Sequence, residues 1–248
     1  MLTAEKIAIR EVFMTFSIDK IKKQLQYFSK FEWGLWIFSV CTAILSFMLS
    51  NDKYPLSLIA SLLGVTSLIF IAKGNVIGQF MIIVFSLLYG YISLRSRYYG
   101  EMATYVFMSA PAAAFACVSW LKNPSKQGKA EVKIAPLTVK KFLCVCILNI
   151  AVTILFYFIL RYFNTANLPL STISVCTSFF AVSLVFLRSP YYALGYAAND
   201  VVLIGLWVLA SVKDPSSLPM VICFVAFLCN DLYGFYNWKR MQKRQKAE

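Results

Sequence analysis

The sequence predicts an all-α protein that crosses a membrane about eight times, and three observations carry that expectation. Of 248 residues, 60% are apolar and only 14% are charged, against about 45–50% and about 25% in an ordinary soluble domain. The apolar residues run on without interruption, and about 20 of them in helical form cross the hydrocarbon core. They do not alternate over about 10 residues as the strands of a membrane barrel do. Lys and Arg, finally, are confined to the links between the runs and are far commoner on one side than on the other.

Taken in order, the spans fall at 33–50, 55–72, 76–94, 102–121, 142–160, 169–187, 191–210 and 219–238, a single transmembrane domain from 33 to 238. Residues 1–32 form a basic leader, in which Ile18, Ile21, Leu25 and Phe28 recur at helical spacing beside Lys20, Lys22 and Lys23. That pattern suits an amphipathic helix lying on an anionic inner leaflet, a solvated leader being the other reading. It has no compact apolar core followed by a small-residue cleavage site, so it is not a cleaved signal. The spans are joined by turn residues: Asn51-Asp52-Lys53, Lys73-Gly74-Asn75, Arg188-Ser189-Pro190 and Asp214-Pro215. Only the polar, basic link from Lys122 to Lys141 is long, and a basic tail occupies 239–248. Counted by side, 19 of the 24 Lys and Arg share the side of both termini. The positive-inside rule makes that side cytoplasmic, and eight spans return the chain to it.

The composition excludes much. Histidine is absent, which removes a Ser-His-Asp triad, a His-bound zinc and an imidazole proton relay. The net charge of +13 needs no nucleic acid once it resides in cytoplasmic loops. Seven cysteines (Cys41, Cys117, Cys144, Cys146, Cys176, Cys223, Cys229) lie in or beside the spans without a C-x-x-C pair. They read as small apolar packing residues, and no metal, disulfide or cofactor is expected.

A weak internal repeat is visible. Ser67-Leu68-Ile69-Phe70 closes the second span and Ser183-Leu184-Val185-Phe186 the sixth; the following helices open Ile77-Gly78-Gln79 and Leu194-Gly195-Tyr196. This suggests two three-helix units, about 55–121 and 169–238, joined by a linker helix at about 142–160. Three helices plus one linking helix leave both units facing the same way, the parallel 3+1+3 arrangement of SWEET-type transporters, here with an extra N-terminal helix.

The polar residues inside the spans point to a site. Asp200 and Asp231 sit mid-span, each preceded by Asn (Asn199, Asn230). A mid-bilayer Asp costs about 2.5–3.5 kcal/mol on insertion scales, so it faces a cavity or a partner. Tyr192, Tyr196, Asn199 and Leu203 share a face of the seventh span, with Asp200 at its flank. Asn230, Tyr233, Gly234 and Asn237 share one in the eighth, near Tyr236 and Trp238, and Gln79, Ile83, Ser86 and Gly90 share one in the third. Tyr236 and Trp238 also suit an interfacial aromatic belt. Rings and amides without a basic side chain fit a flat heteroaromatic ligand bearing hydroxyls. A phosphorylated one would call for Arg, Lys or helix N-termini in the pathway. Asp200 could complement a cationic ring.

With those residues in place, the chain resembles the PnuC-type nicotinamide riboside transporters over roughly 55–240. The resemblance rests on Ser61-Leu62-Leu63-Gly64-Val65-Thr66-Ser67-Leu68 with Lys73-Gly74-Asn75, on Tyr98-Tyr99-Gly100-Glu101, on Ser119-Trp120-Leu121-Lys122-Asn123-Pro124, and on Asn230-Asp231-Leu232-Tyr233-Gly234-Phe235-Tyr236-Asn237-Trp238. It implies a SWEET-like trimer in a bacterial inner membrane. It also implies inward facilitated diffusion of nicotinamide riboside, followed by cytosolic phosphorylation that traps it. Gln79 looks like the family's Gln or Asn in its span and Asn199 like its span-seven Asn. Members commonly carry Asn where Thr104 stands, and often Trp around the positions of Tyr192, Gly195 and Tyr196. The expected binding set is thus Gln79, Thr104, Tyr192, Tyr196, Asn199, Asp200, Asn230, Asp231, Tyr233 and Asn237. Pro111 and Gly90 are hinge candidates. The open alternatives are another vitamin or nucleoside (thiamine, riboflavin, a deoxynucleoside) and a membrane subunit that binds substrate for an energising partner. An intramembrane enzyme is disfavoured, because neither Asp lies in Gly-x-Gly-Asp and no Asp-x-x-Asp-Gly run exists.

Overall fold

The computed structural model describes residues 28–49, 54–95, 99–125, 131–213, 215 and 218–247. The proposed leader helix therefore lies almost wholly outside the described residues. Eight helices among them are long and apolar enough to span a membrane. They are α1 (Lys30–Leu49), α2 (Pro55–Ala72), α3 (Val76–Arg95), α4 (Tyr99–Leu121), α5 (Val139–Tyr162), α6 (Leu168–Phe186), α7 (Tyr192–Lys213) and α8 (Leu218–Lys246). The last span runs on as helix through most of the basic tail.

Local chemistry sets the helix ends. Ser29 and Glu32 form a capping box on α1: Ser29 N–H donates to Glu32 Oε2 (2.6 Å) and Glu32 N–H to Ser29 Oγ (3.2 Å). Pro55 and Pro169 occupy the first turns of α2 and α6, where a missing N–H costs no helical bond. In α4 a π-helical turn, Thr104–Ser109, precedes Ala110 and Pro111. Proline has no N–H for the helix ladder, and the wide turn absorbs the mismatch without a break. Gly90, one of the hinge candidates, is a close-packing point: a Cβ there would run into Val106 of that π turn.

Helix packing closes a ring. In sequence around it, α2 packs on α3, α3 on α4, α4 on α6, α6 on α7, α7 on α8, and α8 on α2. Helix α1 lies outside the ring against α2 and α8; α5 lies outside it against α6 and the start of α4. The outer face of α5 shows Ile147, Leu148, Ile150, Ile154, Leu155 and Phe158, a surface suited to lipid. Among the described residues, helices α3 and α4 do not pack closely on α7, which stands across the ring from them.

The two halves repeat one turn atom for atom. After α2, Lys73, Gly74 and Asn75 donate their N–H groups to Ile69, Ile71 and Phe70. After α6, Leu187, Arg188 and Ser189 donate to Ser183, Val185 and Leu184 in the same pattern. Gly74 (φ 67°) and Arg188 (φ 57°) hold the left-handed position of this helix stop. Asn75 and Ser189 then cap the next helix, accepting from Ile77 N–H (3.0 Å) and Tyr191 N–H (3.4 Å). The turns pair Ile69 with Ser183, so the sequence quartets ending α2 and α6 are offset from true equivalence by two residues.

Candidate functional site

At the end of the ring that carries the basic links, the halves hold one another reciprocally. Trp120 at the end of α4 donates its Nε1–H to Val185 O of α6 (3.0 Å), and Ser119 Oγ–H donates to Phe186 O (2.8 Å). Trp238 of α8 donates to Ile71 O of α2 (2.9 Å), and Asn237 Nδ2–H to Ala72 O (2.8 Å). The two indoles meet, ring centroids 5.4 Å apart, and Tyr192 packs on Trp238 at 4.7 Å. The link 131–138 lies across this floor, with Val132 N–H on Gly74 O (2.9 Å) and Ala135 N–H on Arg188 O (3.0 Å). Gln245 of α8 clamps it through Ile134 N–H and Val132 O, and Arg244 pairs with Glu131. Val132, Ile134 and Met241 join Ile71, Val185, Tyr192 and both tryptophans in one buried apolar cluster. The floor is closed in this structure.

Deeper in the ring a different set of side chains converges. The carboxyls of Asp200 (α7) and Asp231 (α8) lie within hydrogen-bonding reach of each other, and Asp200 Oδ2 has no partner. Tyr196 lies within electrostatic range of both carboxyls and of Tyr105 of α4. Tyr105 packs on Tyr89 (4.5 Å) and edge-on to Phe85 (5.7 Å) of α3. Tyr89 and Ser93 donate to Glu101, a third acid near the far end of the ring. Tyr105 and Tyr196 are enclosed by protein yet keep accessible surface, as residues lining an internal chamber do, and Tyr89 is half-buried beside Tyr105. Buried acids without a cation beside them are costly and mark places where a partner comes and goes.

The expected site residues divide accordingly. Tyr196, Asp200 and Asp231 come together, with Tyr192 between them and the floor. Gln79 is buried (2% exposed) and its Nε2 is unpartnered; Ser86, two turns along α3, is buried with Oγ unpartnered. Asn199 is buried and its Oδ1 accepts from Ser174 and Thr177 of α6. Thr104 opens the π turn and donates to Gly100 O (3.0 Å). The shared face of α8 does not enter the chamber. Asn230 donates to Ser39 Oγ of α1 (2.7 Å), Tyr233 to Glu32 Oε1 (2.6 Å), and Asn237 to Ala72 O. Glu32 also pairs with Lys73 at 2.9 Å. These three side chains tie α8 to α1 and α2. Trp238 is fully buried in the floor rather than placed in an interfacial belt, whereas Tyr236 is 62% exposed. Sequence reasoning passed over Glu101, Tyr89 and Tyr105. The signal was present, since Ser86 and Ser93 flank Tyr89 at helical spacing and Glu101 stands one turn before Tyr105.

The pattern of the nicotinamide mononucleotide transporter family matches residues 54–240, which takes in α2 to α8 and both halves of the floor. The chain belongs to that family. The chain is similar to the nicotinamide riboside transporter PnuC of Neisseria mucosa, 28% identical over 207 residues, 82% of this chain and 78% of the relative. The PnuC of Haemophilus influenzae is 25% identical over 206 residues, 83% and 88% of the two chains. The crystal structure of the vitamin B3 transporter PnuC superposes with a TM-score of 0.77 at 26% identity, over 92% of this chain and 99% of that one. As a member of this family the protein is a multi-pass membrane transporter, not an enzyme.

Proposed function

We propose that the protein carries nicotinamide riboside inward across a bacterial inner membrane by facilitated diffusion, with phosphorylation inside the cell trapping the product. The observation that carries this reading is the chamber: rings of Tyr89, Tyr105 and Tyr196 beside the acids Asp200 and Asp231. Among the described residues of the spans, Lys and Arg occur only towards helix ends. A pyridinium nucleoside brings a flat cation and neutral hydroxyls, which suit that set. A mononucleotide brings a phosphate, which the acids would repel and no basic side chain would meet. The named relatives support the riboside as cargo.

Gln79, Thr104, Tyr192, Tyr196, Asn199, Asp200 and Asp231 are the binding residues of this reading, with Asn230, Tyr233 and Asn237 supporting them through α1 and α2. The two halves, about 55–121 and 169–238, rock as parallel units about the chamber. The reciprocal tryptophan bonds support that symmetry. Their floor faces the cytoplasm, where both termini lie by the charge count, and trimeric assembly completes the picture.

Proteoliposomes containing only this chain test it. Uptake of labelled nicotinamide riboside is expected to exchange with external riboside and to ignore the mononucleotide. Exchange of thiamine, riboflavin or deoxynucleosides instead would reassign the cargo. Absence of any exchange by the purified chain would favour a binding subunit needing an energising partner.

A further inference from the structure

Asn199 lies on α7 about one turn after Tyr196 and next to Asp200 in the chain, and its side chain is held in one sense. Its Oδ1 accepts from Ser174 Oγ at 2.9 Å and Thr177 Oγ1 at 3.0 Å, one turn apart on α6. Hydroxyls can donate or accept, so the sense of the amide depends on where their single protons go. Thr177 has competing acceptors, for Ile173 O and Ser174 O each lie 3.0 Å from its hydroxyl. Ser174 Oγ has the Asn199 oxygen as its acceptor, with no backbone carbonyl competing among the described bonds. Its proton therefore fixes Oδ1 towards α6. Asn199 Nδ2, with both of its protons, is left without a protein partner.

The structure assigns Ser174, assisted by Thr177, as the positioning residue that turns Asn199 into a donor-only contact, so that the amide takes an acceptor oxygen of the cargo. The inference rests on the nucleoside reading above and sharpens it. A free asparagine offers both a donor and an acceptor, and so tolerates a ligand group of either kind. One whose oxygen is occupied accepts only a carbonyl or hydroxyl oxygen and leaves an amino group unpaired, which is the basis of strong polar discrimination. Nicotinamide riboside has such oxygens on its carboxamide and on its ribose.

The test uses the purified full chain, with calorimetric Kd for nicotinamide riboside and KM and maximal rate in proteoliposomes. Losing the ordered amide is expected to cost Ser174→Ala about tenfold in Kd and KM, with the maximal rate changed by less than about twofold. Ser174→Thr, which keeps the hydroxyl, restores wild-type affinity, and Thr177→Val costs less than about threefold because its proton is shared. In an Asn199→Ala background, Ser174→Ala adds nothing further, since it acts only through that amide. Melting temperature, followed alongside, separates positioning from misfolding. Pyridine riboside lacks the carboxamide and the 2′-deoxyriboside lacks one ribose hydroxyl; the analogue insensitive to Ser174→Ala names the oxygen that Asn199 holds. Wild-type affinity in Ser174→Ala, or losses that multiply with Asn199→Ala, would overturn the inference while the transport reading stands. A wild-type chain that neither binds nor moves nicotinamide riboside would overturn both.

Discussion

The floor and the chamber use the same kinds of side chain to opposite ends. In the floor the indole N–H groups of Trp120 and Trp238, the Ser119 hydroxyl and the Asn237 amide each meet a carbonyl from the last turn of α6 or α2. Those carbonyls lie at helix ends beyond the reach of the intrahelical ladder; Ile71 O and Val185 O also take the turn amides of Gly74 and Arg188. In the chamber and along α3, Asp200 Oδ2, Gln79 Nε2 and Ser86 Oγ are buried without a partner. A buried polar group without a hydrogen bond destabilises a protein, and fold stability alone gives no reason to retain it. The floor therefore uses its donors to hold the halves together, Arg188 Nε being its one buried unpartnered side-chain atom among the described residues, while the chamber leaves Asp200, Gln79 and Ser86 unsatisfied, as the ligand-binding reading requires.

Substitutions separate the two. Trp238→Ala removes the largest fully buried side chain of the floor, its contacts with Trp120 and Tyr192, and the bond to Ile71 O. It is expected to destabilise the protein by about 3–5 kcal/mol, read as a lower melting temperature in detergent. Trp120→Ala, its counterpart in the other half, should follow closely. A wild-type melting temperature in both would deny the floor its structural role.

Asp200→Asn should behave in the opposite way. Removing an acid with an unsatisfied oxygen leaves the melting temperature unchanged or raised. The affinity for a cationic nucleoside falls about tenfold, while a neutral nucleoside is held as before. Equal affinity for the cationic ligand would end the electrostatic reading of the acid pair.

Glu32→Gln breaks the pair with Lys73 but can keep the bond from Tyr233. Glu32 is buried, so losing its charge-assisted bond to Lys73 is expected to cost about 1–3 kcal/mol, again as melting temperature. A cycle with Tyr233→Phe would show coupling if the three residues act together. The smallest effect belongs to the strap over the floor. Its Glu131–Arg244 pair is partly exposed, and Glu131→Gln should lower stability by less than about 1 kcal/mol, an effect that high salt abolishes.

Some of this was legible along the chain and some was not. All eight spans were, because an apolar run of bilayer length is a local property. The acid pair stood out for a similar reason: a carboxylate mid-span is conspicuous wherever its helix turns. The role of α8's polar face was not legible. Asn230, Tyr233 and Asn237 do share a face as their spacing requires, but that face meets α1 and α2. Asp231, about 100° further round the helix, meets Asp200. Nor could the spacing show that Trp238 is buried, since a tryptophan at a span end suits a lipid interface equally well until a neighbouring helix covers it.

The sequence by itself determined how many helices there are, how long they run and which end carries the charge. Bilayer thickness and the cost of desolvating Lys and Arg act on each residue separately, so they leave their mark without regard to neighbours. Only the tertiary structure decided which polar side chains are satisfied by the protein and which are left without a partner. Lipid is as apolar as a helix face, so burial against another helix is not written in the hydropathy. Asn199 and Asn237 are chemically identical and both lie inside spans. The hydroxyl of Ser174 orients one, and the last carbonyl of α2 engages the other.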